Sequence, residues 1–381
     1  MKFIHTSDWH LGKILHGVHL TPDQRIVLDG LKEILAQERP DALIIAGDIY
    51  DRAIPPVEAV ELFSEFTQSV LLGLGIPIIA MAGNHDSAER IQFGSKLLSE
   101  NKLHIIGKST QGYEKVVLED DHGPVEFYVI PYADPAYIRS MYKNDAIKTH
   151  DDAFEAITNR ILEEKGDARS VAMVHAYVQG GEIHSDSERP LSIGGTDMVS
   201  FSHFKPFNYT ALGHLHAPQR AGEEFIRYSG SLMKYSISEA TQKKSVYMIE
   251  MDKDGTVTHE EILIKAPKDV RQVKGLLEDI LATGRLDDNP NDYVMAVVED
   301  EGALLDPMEK IRSVYPNAIG MKRTFLENQQ EGSRGDINYS NYNKMSIGSL
   351  FDDFYTHVTG EGFSEEYKEV FEAITKGIER E

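Results

Sequence analysis

The sequence predicts a layered α/β fold, on three observations. Short apolar runs alternate with helical periodicities through residues 1–264, the order that layered α/β domains require. Several of those runs stop abruptly at acidic, amide or imidazole residues, as strands do where their carboxyl ends open on a ligand crevice. With 381 residues, 41% of them hydrophobic, the chain can bury a sizeable core in two or three domains.

The elements follow in chain order. Residues 3–6 read as a strand. Thr21-Pro22-Asp23-Gln24 opens a helix, in which Thr21 caps, Pro22 suits the first helical position and Gln24 completes a capping box. Residues 43–46 are a second strand. Residues 57–72 are a helix with Val60, Phe63, Phe66 and Val70 on or near one face. A third strand, at 76–80, tolerates Pro77. Strands at 116–118 and 126–130 precede a helix near 152–164, and 171–174 and 209–212 are two further short apolar runs. Residues 246–251 and 256–264 close the region as strands around the Lys253-Asp254-Gly255 turn.

Pro267 marks a boundary. Beyond it the pattern reads as a helix (Val270, Val273, Leu277, Ile280, Leu281), a strand at 293–298, a helix at 307–314 and a strand at 318–321, together a compact α+β unit. Residues 327–343 are polar and rich in Gln, Asn, Gly and Ser, the composition of a flexible linker. Ile347, Leu350, Phe351, Phe354, Tyr355 and Val358 then follow helical spacing, with Ser346 as cap. After Gly360 and Gly362 a second stripe runs through Tyr367, Val370, Phe371, Ile374 and Ile378, capped by Ser364. Such stripes either fold back on the body or dock on a partner. The expected domains are 1–265, 266–325, a linker at 326–345 and a helical tail at 346–381.

Composition narrows the function. A formal net charge of −23 counts against strong independent nucleic-acid binding, because phosphate contacts need clustered Lys and Arg. Bound divalent cations or a basic partner would offset it. The absence of cysteine excludes disulfides and thiolate metal sites and fits the cytoplasm. No apolar run approaches the roughly 20 residues that span a bilayer, and the first residues lack a signal peptide's apolar stretch.

The chemistry sits at the ends of five apolar runs. Asp8-Trp9-His10 follows the first, Gly47-Asp48-Ile49-Tyr50-Asp51 the second and Gly83-Asn84-His85-Asp86 the third; His175 ends the fourth, and Gly213-His214-Leu215-His216 follows the fifth. Each alone says little, since a lone histidine ending a strand is usually structural. The ordered set is specific. It holds carboxylates, one amide and several imidazoles, with no sulfur. Mixed nitrogen and oxygen ligation suits Mn²⁺, Fe or Zn²⁺, whereas Mg²⁺ and Ca²⁺ favour oxygen alone. There are too many ligands for one ion, but enough for two about 3.5–4 Å apart sharing a carboxylate. Residues two apart project to one side of an extended segment, so Asp8 with His10, and His214 with His216, can each address one site. The glycines before Asp48, Asn84 and His214 permit sharp turns or close backbone approach.

With these motifs the sequence resembles the calcineurin-like metallophosphoesterase family, and within it the bacterial SbcD-type nucleases. Residues 1–264 carry the family motifs unbroken. Ser7-Asp8-Trp9-His10-Leu11-Gly12-Lys13, Ala82-Gly83-Asn84-His85-Asp86, Ser185-Asp186-Ser187-Glu188-Arg189 and Gly194-Gly195 carry the closer likeness. The resemblance implies a four-layer α/β/β/α fold with a smaller α+β capping domain and a C-terminal helical hairpin. It implies that Asp8, His10 and His216 hold one metal, that Asn84, His175 and His214 hold the other, and that Asp48 bridges them. Mn²⁺ is the implied ion, with Mg²⁺, Fe and Zn²⁺ as alternatives. His85 would face the phosphate as proton donor or transition-state stabiliser, and Asp51 could orient His85 or another site histidine. The implied activity is DNA phosphodiester hydrolysis, both 3′→5′ exonuclease and single-strand or hairpin endonuclease. The implied setting is a homodimer assembled with an SbcC-type coiled-coil ATPase into a heterotetramer, cytoplasmic and on the nucleoid when bound to DNA. A small nucleotide or other phosphoester is the alternative substrate. His5 reads as core, Lys13 and Arg90 as solvated surface charge that could otherwise meet DNA phosphates, and His184 as a residue that could approach substrate. The Ser185–Arg189 segment has no physical role assigned from sequence.

Overall fold

The structure, a computed structural model, describes residues 1–183, 188, 197–324, 351–352, 355–356, 362, 364, 367–368 and 371. Two compact units are present, Met1–Asp269 and Val270–Glu381.

Two six-stranded sheets build the first unit. One runs in the order Val257–Leu263, Ser245–Met251, Lys2–Thr6, Ala42–Ile45, Ile78–Met81, Leu103–Ile106; the other in the order Gln219–Ala221, Glu223–Tyr228, Tyr209–Gly213, Arg169–His175, Gly123–Ile130, Glu114–Asp120. The four strands from Lys2–Thr6 to Leu103–Ile106 are mutually parallel, as are those from Glu223–Tyr228 to Gly123–Ile130. Strands buried on both faces read as continuous apolar runs, which is why Ala42–Ile45 and Ile78–Met81 carry no exposed residue. Phe3, Ile44 and Ile79 of one sheet share a buried cluster with Phe127, Met173 and Tyr209 of the other. The Phe3 ring meets those of Phe127 and Tyr209 edge-on at 5.6 and 5.9 Å, the geometry aromatic quadrupoles favour. Outside the second sheet, Phe154, Ile157 and Ile161 of the His150–Glu164 helix pack with Tyr128, Val174 and Leu212. The helices Thr21–Glu38 and Val57–Gln68 supply the fourth layer, burying Leu31, Leu35, Phe63 and Phe66. The architecture is thus α/β/β/α. His5 is core, its Nε2 donating to the Leu212 carbonyl and its Nδ1 accepting from the Tyr209 hydroxyl.

Three expectations are corrected. Thr21 is the first helical residue and does not cap; Leu20 occupies the cap position without a side-chain bond. Gln24 makes no capping box, because it turns inward to accept from the Gly12 N–H and donate to the carbonyls of Trp9 and His10. Val60 is 44% exposed; the buried stripe of its helix passes through Ala59, Leu62, Phe63 and Phe66. That helix also loosens into a π-helical turn over Ser69–Leu74, closed by Gly75 at φ 75°.

The second unit holds a further correction. Val270–Gly275, expected as helix, is a strand. Its Val-x-x-Val spacing is that of a helix while its β-branched side chains suit a strand, and parallel pairing with Tyr293–Val298 decides it. Tyr293–Val298 lies between Val270–Gly275 and Gly320–Arg323 in a three-stranded parallel sheet. The helices Leu277–Gly284 and Pro307–Val314 close a core of Leu277, Ile280, Val294, Ala296, Ile311 and Tyr315. The linker at 327–343 lies outside the described residues. In the tail, the Phe351 ring stacks on Phe371 at 4.2 Å, Tyr355 lies 6.2 Å from Tyr367, and Lys368 pairs with Asp352. Described positions of the two apolar stripes therefore face each other. Ser364 Oγ accepts from the Tyr367 N–H at 3.3 Å, the capping role expected of it.

Among the described residues no helix is long and apolar enough to cross a membrane.

Candidate metal centre

Three parallel strands of the first sheet and two of the second end at the same edge, and their loops carry all the expected site residues. The main chain builds this edge. Asp8 (φ 53°), His10 (φ 45°), Asp48 (φ 50°) and His214 (φ 110°) all take positive φ, at a cost of about 1–3 kcal/mol each that the surrounding contacts must offset. Asp8 N–H donates to Gly47 O and His10 N–H to Asp48 O, both at 3.0 Å, so the first two loops hold each other. The glycines permit the approach: a Cβ at Gly47 would fall 2.3 Å from His175 Nδ1, at Gly83 2.2 Å from Asp48 Oδ1, and at Gly213 1.9 Å from the Ala46 carbonyl. Gly83→Ala is therefore expected to displace Asp48 and weaken divalent-ion affinity at least about tenfold. Calorimetric titration checks this, and unchanged affinity would refute the crowding.

Donor atoms converge at ligand spacing. His10 Nε2 and His216 Nε2 lie 3.1 Å apart. Asn84 Oδ1 lies 2.9 Å from His175 Nε2 and 3.3 Å from His214 Nδ1. Asp48 Oδ2 stands between these groups, 3.4 Å from His175 Nε2 and 3.7 Å from His10 Nε2. Bonds of about 2.1 Å to one ion put neighbouring donors about 3 Å apart. Among the described residues, Asp8 with His10 and His216, Asp8 with Asp48 and His175, and His10 with Asp51 and His85 each bring ligand atoms within 4.8 Å of one another. The donor set is nitrogen and oxygen throughout, nearly all buried, and fits divalent cations.

Hydrogen bonds to the far ring nitrogens fix the tautomers. A carbonyl only accepts, so His175 Nδ1 donates to Ala46 O (2.9 Å) and turns Nε2 toward Asn84 and Asp48. His216 Nδ1 faces Glu239 Oε1 at 3.0 Å, leaving its Nε2 toward His10. His85 Nδ1 donates to the main-chain carbonyl of Asp51 at 2.8 Å, and its own N–H donates to Asp48 Oδ1 at 2.9 Å. Asp51 thus orients His85 through its backbone. Its carboxylate instead pairs with Lys13 at 2.9 Å and lies 3.7 Å from His10 Nδ1, so Lys13 is not the free surface charge expected of it. Arg90 is exposed.

Burial sets the charges. It would push the Asp48 carboxyl up, but the His175 and His10 imidazoles hold it well below the usual carboxylate range. Burial opposes charge on His175 too, yet Asp48 outweighs it and the pKa is pushed up to about 9. Burial lowers His10 well below the usual imidazole value and takes His214 to about 3. Asp8 is raised, again chiefly by burial. Imidazoles that stay neutral are ready ligands.

Several supporting residues escaped the sequence reading. Asp86 accepts the N–H groups of Ile49, Tyr50 and Gly83, binding the second loop to the third; burial, then Asp48, pushes its pKa up to about 7. Glu239 holds His216, and Lys244 Nζ sits among Glu239 Oε2 (2.6 Å), Gln242 Oε1 (2.7 Å), Ser231 Oγ (2.8 Å) and His216 O (2.9 Å). Glu188, from the segment without an assigned role, accepts from the His216 N–H at 2.7 Å. His184, its neighbours 185–187, Arg189, Gly194 and Gly195 lie outside the described residues. No spacing rule points to Glu239 or Lys244; a carboxylate behind a ligand histidine is visible only in three dimensions.

The calcineurin-like phosphoesterase family matches residues 1–218, and the type 5 capsule protein repressor C-terminal domain matches residues 266–359. The SbcD subunit of the SbcCD nuclease of Staphylococcus epidermidis is 31% identical over 371 residues, spanning 96% of this chain and 95% of that one. Among solved structures, the GAP50 anchor of the Plasmodium inner membrane complex is 9% identical with a TM-score of 0.40, covering 84% of this chain and 96% of its own. A dimetal phosphatase from Danio rerio is 10% identical with a TM-score of 0.38, covering 70% and 99%. The family match takes in more than half the sequence and every loop of the site, and the likeness to a nuclease subunit runs nearly end to end: the chain belongs to the calcineurin-like phosphoesterase family, as a metal-dependent phosphodiesterase of the SbcD type.

Proposed function

We propose that this protein is the nuclease subunit of an SbcC–SbcD-type complex, hydrolysing DNA phosphodiesters at ends, hairpins and single strands. The observation that carries the reading is the convergence of Asp8, His10, Asp48, Asn84, His175, His214 and His216 at one edge of both sheets. Asp8, His10 and His216 would hold one ion, Asn84, His175 and His214 the other, with Asp48 between them; the mixed donor set favours Mn²⁺. When bound, such a pair supplies an activated water near neutral pH and charge stabilisation for the phosphoryl oxygens. The chain's own residues do the rest. His85, with Nδ1 committed to Asp51 O, presents Nε2 to hold or deliver a proton at the leaving 3′ oxygen. Gln24, Asp86 and Glu239 keep the loops and rings from drifting, which matters because small misplacements cost large factors in rate.

The second unit supports a reading of the partners. We read 266–325 as a capping domain and 346–381 as the segment that grips the base of the ATPase coiled coil, after a linker at 326–345. The ATPase would bring the basic surface that a chain of net charge −23 lacks. Two copies of each subunit make the heterotetramer. Phe93 (86% exposed) and Leu97 (72% exposed), in and beside the Ser95–Ser99 helix, are apolar surface of the kind a second copy covers.

The test is a nuclease assay with Mn²⁺ or Mg²⁺, with and without the ATPase, on a DNA hairpin and on a cyclic nucleotide. Manganese-dependent cleavage of the hairpin in preference is expected; faster turnover of the cyclic nucleotide would move the substrate to the small-phosphoester class. Deleting residues 340–381 is expected to abolish ATPase association in a pull-down yet spare cleavage of short DNA. Unchanged association would remove the tail from the interface.

A further inference from the structure

A cavity of about 350 Å³ opens beside Asn84, walled also by Lys108, Ser109, Tyr132, Asp134 and Tyr137. Its volume lies in the range of small-molecule sites, and Asn84 sets one wall against the donor cluster. Much of the polar wall is already engaged. Asp134 Oδ1 accepts the N–H groups of Ala136 (2.8 Å) and Tyr137 (3.0 Å), capping the Pro135–Tyr142 helix. Ser109 Oγ donates to the Tyr113 carbonyl, and Lys108 pairs with Glu89. The Tyr137 hydroxyl reaches Ser109 O at 3.4 Å, and the Tyr132 hydroxyl lies 3.4 Å from His150 Nε2. What remains on offer is ring surface. Tyr137 is 43% exposed, with the Lys108 ammonium 5.6 Å from its ring centre. Such a cavity suits an occupant that is flat, apolar on its faces and not chosen by the hydrogen-bonding pattern of its edge.

We propose that this cavity receives the nucleobase next to the scissile phosphate and grips it by stacking on Tyr137, while the phosphate lies at the metal centre. The proposal rests on the nuclease reading above and adds a substrate subsite to it. Stacking tolerates any sequence, because every base has a π-face. An enzyme that processes arbitrary ends gains a grip on the strand in this way without a sequence preference.

The experiment compares the full-length chain with its Tyr137→Ala and Tyr137→Phe variants, on a short single-stranded oligonucleotide and on the same strand built from abasic residues. Tyr137→Ala is expected to raise KM on the normal strand about tenfold with kcat nearly unchanged. Tyr137→Phe, which keeps the ring, is expected to retain the wild-type KM. On the abasic strand wild type and Tyr137→Ala should share one KM. An unchanged KM on the normal strand overturns the proposal. So does an equal rise on both strands, which would mark a structural effect. A wild-type chain that cuts neither strand would instead remove the nuclease reading on which the subsite depends.

Discussion

Lys244→Met is expected to lower folding stability by about 3–5 kcal/mol. The ammonium is 2.6 Å from Glu239 and buried with it. Burial alone would push the Glu239 carboxyl up; Lys244 first, then His216, hold it well below the usual range. Burial also lowers the Lys244 ammonium, against the pull of Glu239. Methionine fills the space of the lysine stem but leaves the carboxylate without the cation bonded to it, and removing one partner of a buried pair costs far more than the pair contributes. Denaturant unfolding measures the loss. The double variant with Glu239→Gln, which removes both charges, should recover a good part of it. If the double variant is as unstable as the two single losses added, Lys244 and Glu239 are uncoupled and do not act as a network. Glu239→Gln also changes the group facing His216 Nδ1, so ion affinity should fall about 10–100-fold in that variant.

The second large effect is on rate. His85→Ala is expected to retain both ions and lose turnover by about 10²–10⁴-fold, the worth of a positioned proton donor. Metal content by elemental analysis and single-turnover cleavage separate the two quantities. Loss of metal together with turnover would make His85 a ligand. The Asp51 geometry sharpens the comparison. Because His85 leans on the Asp51 carbonyl, Asp51→Ala keeps that bond and should cost much less than His85→Ala, acting through Lys13 and His10 alone. An Asp51→Ala defect as deep as that of His85→Ala would mean that the carboxylate, rather than the main chain, controls the imidazole.

Much of this site was legible in the sequence because chemistry and periodicity coincide there. A strand buried on both faces is a short apolar run, and its carboxyl end announces itself when Asp, Asn or His follows at once; Asp8, Asp48, Asn84, His175 and His214 all stand out in this way. Glycine before Asp48, Asn84 and His214 carried real information, since the close approaches at Gly47, Gly83 and Gly213 admit no Cβ. Where two readings fit one pattern, the sequence failed. Val270 and Val273 suit a helix as well as a strand, and the neighbouring strand chose. Thr21 and Gln24 match a capping box by spacing, yet Gln24 finds better partners in the Trp9–Gly12 loop. Glu239 and Lys244 stayed invisible because their meaning lies in what they touch, far along the chain from Asp8 and His10.

The placement of donors on both sheets has a mechanical side. Asp8 and His10 leave one layer, His216 leaves the other, and their ligand atoms meet within 4.8 Å. A cation held there would clasp the mouth of the sandwich shut, so that ion uptake and cohesion would become one equilibrium. Each tenfold rise of free ion above its dissociation constant then adds about 1.4 kcal/mol to the folded form. The supply of metal is then expected to govern how well the enzyme withstands heat as well as how fast it cuts.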